Sequence, residues 1–291
     1  MLHNTPFKNK DLNLWIDLST LCNAKCPQCH RTNPHGLKKF DWLPKVQWSL
    51  SDFKKAFPVK TLEHINRIEI CGTWGDPVTN KDLFDMVEYV IDNSHTSVLI
   101  STNGSIKDDV WWFKLGYLTG DRCEVFFAVE GTTQEMHSKY RINTNLNKIL
   151  DNVEAFSQYG RSSIFTVVFK HNEQYLEEIA NLTFKCGATN ILFFPSNRFG
   201  KHSEFEFVDG NNNIKTLHPI TNYNNPLYRE QDYYKWINGL KACGKHKKDM
   251  TLYGADQKVE LAVNERATGT IHDKTGENII GLTIKKKYDE A

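Results

Sequence analysis

Cys22, Cys26 and Cys29 stand in Cys-x3-Cys-x2-Cys spacing, followed directly by His30. Thiols this close together exchange disulfides or bind soft metals. Cys26-Pro27-Gln28-Cys29 alone has the spacing of a thiol–disulfide oxidoreductase, but that reading leaves Cys22 without a role. With His30 the pair also matches a c-type haem attachment, a chemistry of exported proteins. Structural zinc needs four ligands in a closed tetrahedron. Three thiols are local, the His30 ring would have to fold back past its own backbone, and no second Cys-x-x-Cys or His-x3-His pair follows. A cubane iron–sulfur cluster usually takes four cysteines. With three, one iron stays open, as a catalytic zinc keeps a position open for its substrate. That last chemistry gives the missing fourth thiol a purpose. A zinc-holding interaction module and a Cys-x-x-Cys thiol–disulfide oxidoreductase remain the competing classes.

The elements that must position this cluster alternate regularly. Apolar, β-branched and aromatic runs at 12–18, 67–71, 97–100, 124–129, 164–169 and 191–194 read as buried strands. Leu83, Val87, Val90 and Ile91 share one helical face, as do Leu146, Ile149, Leu150, Val153 and Phe156, with Gly160 at a capping position. Leu176, Ile179 and Ala180 form a third stripe, with Asn172 as its expected cap and Gly187 as its end. Thr132–Glu135 has capping-box spacing and predicts a short helix. Six such units predict parallel strands with right-handed crossovers. The fold class is α/β, a partial (β/α)6 TIM-like barrel with a small C-terminal appendage.

In such folds function gathers at the carboxyl ends of the strands. The cysteines follow the first strand there. "GTWGDP" (72–77) follows the second, "STNGS" (101–105) the third and Glu130-Gly131 the fourth. "KHN" (170–172) and "PSNRFG" (195–200) follow the fifth and sixth. Any one of these reads as ordinary turn chemistry; six in register with three thiols do not. Beyond Gly200 the pattern changes. Residues 209–226 are Asn-rich and read as a long loop, and 251–282 read as short hairpins.

Composition excludes several classes. The chain has 291 residues, 36 basic against 35 acidic, and a formal net charge of +1, so there is no electrostatic footprint for nucleic acid. No segment approaches the ~18 apolar residues of a membrane span, and the polar N-terminal stretch has no signal-peptide core. The expectation is a cytoplasmic protein. Seven unevenly spaced cysteines do not form a disulfide framework. Cys71, Cys123 and Cys186 read as single buried thiols.

The cysteine stretch, placed after the first strand of a repeated βα chain, resembles the signature of the radical S-adenosylmethionine (radical SAM) enzymes. The resemblance runs from about Asn13 to Gly200. It implies that Cys22, Cys26 and Cys29 ligate a [4Fe–4S] cluster whose open iron binds S-adenosylmethionine. Reductive cleavage would then give a 5′-deoxyadenosyl radical that abstracts hydrogen from a substrate. "CGTWGDPVTNKDLF" is similar to the family's Gly-Gly-Glu-type motif, which implies cofactor contacts from Gly72, Gly75, Asp76 and Pro77, with Asp in place of the commoner Glu. "ISTNGS" is similar to the third-strand motif and implies Ser101 and Asn103 near the ribose or methionine. "FAVEG" followed by "YRIN" resembles the branch with the SPASM or twitch extension. It implies cofactor positioning by Glu130 and a pairing of Arg141 with the cofactor carboxylate, a task suited to a planar guanidinium.

Two departures qualify the likeness. Gln28 stands where an apolar or aromatic residue often packs on the adenine, which leaves its backbone for the base. After Gly200 only Cys243 remains, so the expected appendage is a degenerate twitch- or SPASM-like unit over 201–291 without an auxiliary cluster, behind a core domain over 1–200. The implied partners are a reductant protein such as a flavodoxin or ferredoxin, and a peptide or small-molecule substrate. No residue is assigned to act on that substrate.

Overall fold

The computed structural model describes residues 12–228, 250–253 and 259–260. In chain order the elements are β1 (Leu12–Asp17), β2 (Thr32–Asn33), β3 (Lys38–Lys39), α1 (Leu50–Ala56), α2 (Val59–Leu62), β4 (Ile65–Cys71) and α3 (Leu83–Asn93). Then come β5 (Ser97–Thr102), α4 (Asp109–Thr119), β6 (Cys123–Ala128), α5 (Gln134–Ser138), α6 (Leu146–Ser157), β7 (Arg161–Val168), α7 (Leu176–Lys185) and β8 (Asn190–Pro195). Last are β9 (Phe205–Val208), β10 (Ile214–Leu217), β11 (Met250–Tyr253) and β12 (Val259–Glu260).

The six expected strands are β1, β4, β5, β6, β7 and β8, each parallel to the next in that order. The fold is the expected α/β partial barrel. β11 extends the sheet on the far side of β1, also parallel, and β12 pairs antiparallel with β11. β1 therefore has a neighbour on both sides.

Alternation along the strands divides the core. Leu14, Ile16 and Leu18 of the first segment and Ile68 and Ile70 of β4 pack with Phe53, Leu83, Met86 and Val87 beneath the helices. Leu99, Phe126 and Leu192 form a smaller cluster on the opposite, concave face. Burying side chains of this size contributes about 1.5–3 kcal/mol each, which fixes the strand register.

Helix ends partly follow the sequence. The stripes at 83–91, 146–156 and 176–180 lie in α3, α6 and α7, and Gly187 follows α7 at φ +88°. Asn172 does not cap α7, whose N-cap is Tyr175. Its buried amide instead serves backbone groups at the strand ends, donating to Glu130 O at 3.0 Å and Val167 O at 3.1 Å. The short helix after β6 is present, but its cap is Thr133, which accepts from Met136 N, rather than Thr132. The loop expected at 209–226 is shorter: residues 214–217 are β10, paired with β9 across a turn over Asp209–Asn213. The Asp209 carboxylate accepts the N–H groups of Asn211 and Asn213, and Asn212 takes φ +62°. Of the hairpins expected at 251–282, β11 and β12 pair antiparallel; the remainder, like Cys243, lies outside the described residues.

Candidate functional site

The cysteine loop leaves β1 and crosses the carboxyl ends of the strands. It is tied there from four directions. From the loop after β4, Asp76 N–H donates to Leu21 O at 2.7 Å. From the end of β5, Asn103 Nδ2 donates to Asn23 Oδ1 at 2.8 Å. From the segment after β6, Lys25 N–H donates to Ile142 O at 2.9 Å, and Asn143 Nδ2 to Asn23 O at 2.7 Å. From the end of β8, Arg198 Nη1 donates to Gln28 O at 2.6 Å and the Ser196 hydroxyl to Gln28 Oε1 at 2.8 Å. Within the loop, Cys29 N–H meets Cys26 O at 3.1 Å and Thr32 N–H meets Cys29 O at 2.9 Å, which turns the chain tightly between the last two thiols.

Gly75 explains the close approach of the β4 loop. A Cβ there would lie 2.2 Å from Ser19 O and 2.7 Å from Leu21 O, both backbone atoms that cannot swing away. Gly72 sits less tightly, with Gly75 O at 3.0 Å and Ser101 O at 3.3 Å from a built Cβ. Arg31 adds a clasp: its buried guanidinium donates to Trp74 O at 3.1 Å and Thr20 O at 3.2 Å.

Asp76 is the hub of the first polar network. Its carboxylate accepts from Val78 N at 3.0 Å, Thr102 Oγ1 at 2.9 Å, Asn103 N at 2.7 Å and Asn103 Nδ2 at 2.6 Å. Burial raises its pKa, and these donors pull it back. The network fixes Asn103, whose Nδ2 also reaches the Cys22 sulfur at 3.7 Å. Pro77 opens the short turn that follows, and Ser101 sits half-buried at the end of β5.

Glu130 and Arg141 form the second network. Arg141 Nη2 lies 2.8 Å from Glu130 Oε1, a close ion pair. Arg141 Nη1 lies 3.7 Å from the Cys26 sulfur. Burial works against the Arg141 charge, but Glu130 and the Cys26 sulfur outweigh it and raise the pKa. Burial raises the Glu130 pKa, and Arg141 opposes that shift.

His137, which the sequence reading did not single out, sits behind this pair. Its Nδ1 accepts from Glu130 N at 3.2 Å, and its Nε2 lies 2.9 Å from Thr144 Oγ1. The Thr144 hydroxyl donates its one proton to Arg141 O at 2.6 Å, so Nε2 of His137 must be the donor to it. His137 is therefore the neutral Nε2–H tautomer. Burial, then Arg141, holds its pKa at about 3, in agreement. Only the hydrogen-bonding capacity of a buried Glu-x6-His pair could have pointed to it in the sequence.

The thiols themselves are free. Burial pushes Cys26 up to about 11 against the pull of Arg141, and it also pushes Cys22 up. Metal binding must displace these protons. Among the described residues no three His, Cys, Asp or Glu side chains are grouped around a single point. A cubane distributes three thiolates over three irons and needs no such convergence. The donor set of three thiols in one loop fits that group. Buried polar atoms without a hydrogen-bond partner remain at this site: Gln28 Nε2 and Arg141 Nε. Trp74 is buried against Leu43 beside the loop.

Among the described residues no helix is long and apolar enough to cross a membrane. The family model described as the radical SAM superfamily matches residues 16–183, more than half of the chain. No curated protein matches. Among solved structures, Streptococcus suis SuiB is similar at TM-score 0.50 and 13% identity, covering 66% of this chain and 41% of that one. SuiB bound to S-adenosylmethionine gives 0.50 and 12%, covering 62% and 40%. The anSMEcpe structure with bound AdoMet gives 0.49 and 18%, covering 63% and 50%. The chain spans half or less of the length of these structures. At such identities the likeness to SuiB establishes the fold alone.

Proposed function

Because the chain belongs to the radical SAM superfamily, whose members use a [4Fe–4S] cluster and S-adenosylmethionine, we propose that Cys22, Cys26 and Cys29 hold that cluster here and that the protein cleaves S-adenosylmethionine reductively. Together the two cofactors supply one-electron cleavage of a sulfonium C–S bond to a 5′-deoxyadenosyl radical, which abstracts hydrogen from the substrate.

The chain's own residues hold and orient. Asp76 fixes Asn103 beside Cys22, and Glu130 fixes Arg141 beside Cys26. Two of the three thiols thus each have a braced polar partner, and this observation carries the reading. Arg141 keeps an unpartnered Nε–H for the cofactor carboxylate. Gly72, Gly75, Pro77 and Ser101 supply backbone and hydroxyl groups at the strand ends, and Gln28 offers its backbone to the base. The radical chemistry belongs to the cofactor; the protein's part is orientation and exclusion of water.

Finer assignments follow the motifs. "FAVEG" and "YRIN" favour the SPASM/twitch branch, with a core over 1–200 and a reduced extension over 201–291. That branch favours a peptide or protein side chain as substrate, ahead of a small molecule, and a flavodoxin or ferredoxin as reductant.

Anaerobic reconstitution with iron and sulfide, followed by electron spin resonance with and without S-adenosylmethionine, tests the reading. The expected result is a cluster signal that changes on adding the cofactor and that is lost in Cys22→Ala, Cys26→Ala and Cys29→Ala alike. A protein that takes up no iron, or a signal indifferent to the cofactor, overturns it.

A further inference from the structure

The hairpin β2–β3 and the segment after it carry features that the proposed chemistry does not use. Trp42 is 46% exposed, an unusual position for the largest side chain. Its ring stacks on Phe40 at 5.7 Å and meets Trp74 edge-on at 5.6 Å. The buried Trp74 ring in turn lies 6.3 Å from His30, the residue after Cys29. A continuous run of π systems therefore links the surface to the cysteine loop. Within four residues of Trp42 in the chain come Lys38 and Lys45, both exposed, with Lys39 half-buried, against one exposed aspartate, Asp41. Lys39 donates to Phe40 O at 2.7 Å and to Leu43 O, which fixes its ammonium in this face. Its basicity is lowered by burial, then by Arg31 and Lys45, so these cations feel one another. The whole chain is nearly neutral at +1, so this local excess is a feature of the face.

We propose that the face around Trp42, Lys38, Lys39 and Lys45 docks an acidic one-electron carrier protein, which delivers its electron through Trp74 and His30 toward Cys29. The proposal rests on the cluster assignment above. In the step the carrier gives up one electron to the iron held by Cys22, Cys26 and Cys29; no bond is made or broken and no proton moves. Charge complementarity selects the partner. Three lysines attract an acidic surface, and the exposed aromatic supplies the apolar centre that docking faces favour. The attraction is between exposed charges and weakens with salt.

The test uses the full chain, reconstituted anaerobically, with a reduced acidic flavodoxin as the probe. Affinity is measured by titration, and cluster reduction by stopped-flow absorbance, with dithionite as a parallel reductant. The double variant Lys38→Glu/Lys45→Glu is expected to bind the flavodoxin roughly tenfold more weakly at low salt and to lose most of the salt dependence. Reduction by dithionite stays at the wild-type rate, which shows that the variant is folded and loaded. Trp42→Ala is expected to slow reduction at saturating flavodoxin, again with dithionite unaffected. Wild-type affinity in the double variant overturns the docking face. Sedimentation showing that wild-type copies pair through this face, and that the variant separates them, overturns it in favour of self-association. A wild-type chain without a dithionite-reducible signal overturns the cluster assignment instead, and with it the reason for a carrier.

Discussion

The guanidinium of Arg141 stands 3.7 Å from the Cys26 sulfur while its other arm rests 2.8 Å from the Glu130 carboxylate. One cation thus bridges the Cys26 sulfur and a fully buried acid. Arg141→Ala removes the bridge and leaves Glu130 buried and unpaired. We expect a stability loss of about 3–5 kcal/mol in chemical denaturation of the cofactor-free protein. In reconstituted protein, calorimetric titration should show S-adenosylmethionine affinity weakened by about 1.5–3 kcal/mol. Wild-type affinity would remove Arg141 from the cofactor's contacts.

Asp76 satisfies donors from three residues and is 3% exposed. Asp76→Ala strands the Val78 and Asn103 amides and the Thr102 hydroxyl. The expected loss is about 3 kcal/mol or more, since each orphaned buried group costs about 1–3 kcal/mol. Asn103 is then released from Cys22, so iron uptake should fall as well. An urea midpoint equal to wild type would show that other groups hold Asn103.

Gly75→Ala tests the approach of the β4 loop to the cysteine loop. The added methyl meets backbone oxygens of Ser19 and Leu21, so the two loops must separate. Overpacking of this kind typically costs about 1–3 kcal/mol, seen as a lower thermal midpoint. Gly36→Ala is the companion: nothing lies within 4 Å of its Cβ, and its φ of +97° supplies backbone strain without a clash. A larger loss at Gly36 than at Gly75 would refute the contact argument.

Glu69 gives the pH prediction. It is buried on β4, and burial raises its pKa from 4.5 to about 7 against the pull of Arg67. The folded chain keeps this proton after the unfolded chain has lost it. The associated stability is full below pH 4.5 and disappears as pH rises through 7. It amounts to roughly 3 kcal/mol across that window. Glu69→Gln should flatten the cofactor-free stability profile between those two values. A profile of unchanged slope would assign the titration elsewhere.

What the sequence disclosed and what it withheld divide along physical lines. The six strands were legible because buried parallel strands carry unbroken apolar runs, as in Val125-Phe126-Phe127-Ala128. The helical stripes of α3, α6 and α7 were legible by a different signal, apolar residues recurring three and four apart, as at Leu146, Ile149 and Val153. Asn172 was misplaced because a capping asparagine and a buried asparagine bridging Glu130 and Val167 are the same residue type at the same distance from a helix. β10 was hidden by its polar composition: three of its four residues are exposed, so no apolar period announces it. The thiols declared themselves by spacing. The Asp76–Asn103 and Arg141–Glu130 partnerships did not, because each joins loops from different strands and exists only once the sheet has closed.

The strand that launches the cysteine loop has a second neighbour in Met250–Tyr253, contributed from far along the chain. A chain cut before Met250 would bare the N–H and C=O groups on that side of β1 and turn an interior ribbon into a margin open to other molecules. The distal segment is thus part of the foundation under the thiols, and shortening this protein from its tail reaches the chemistry at its head.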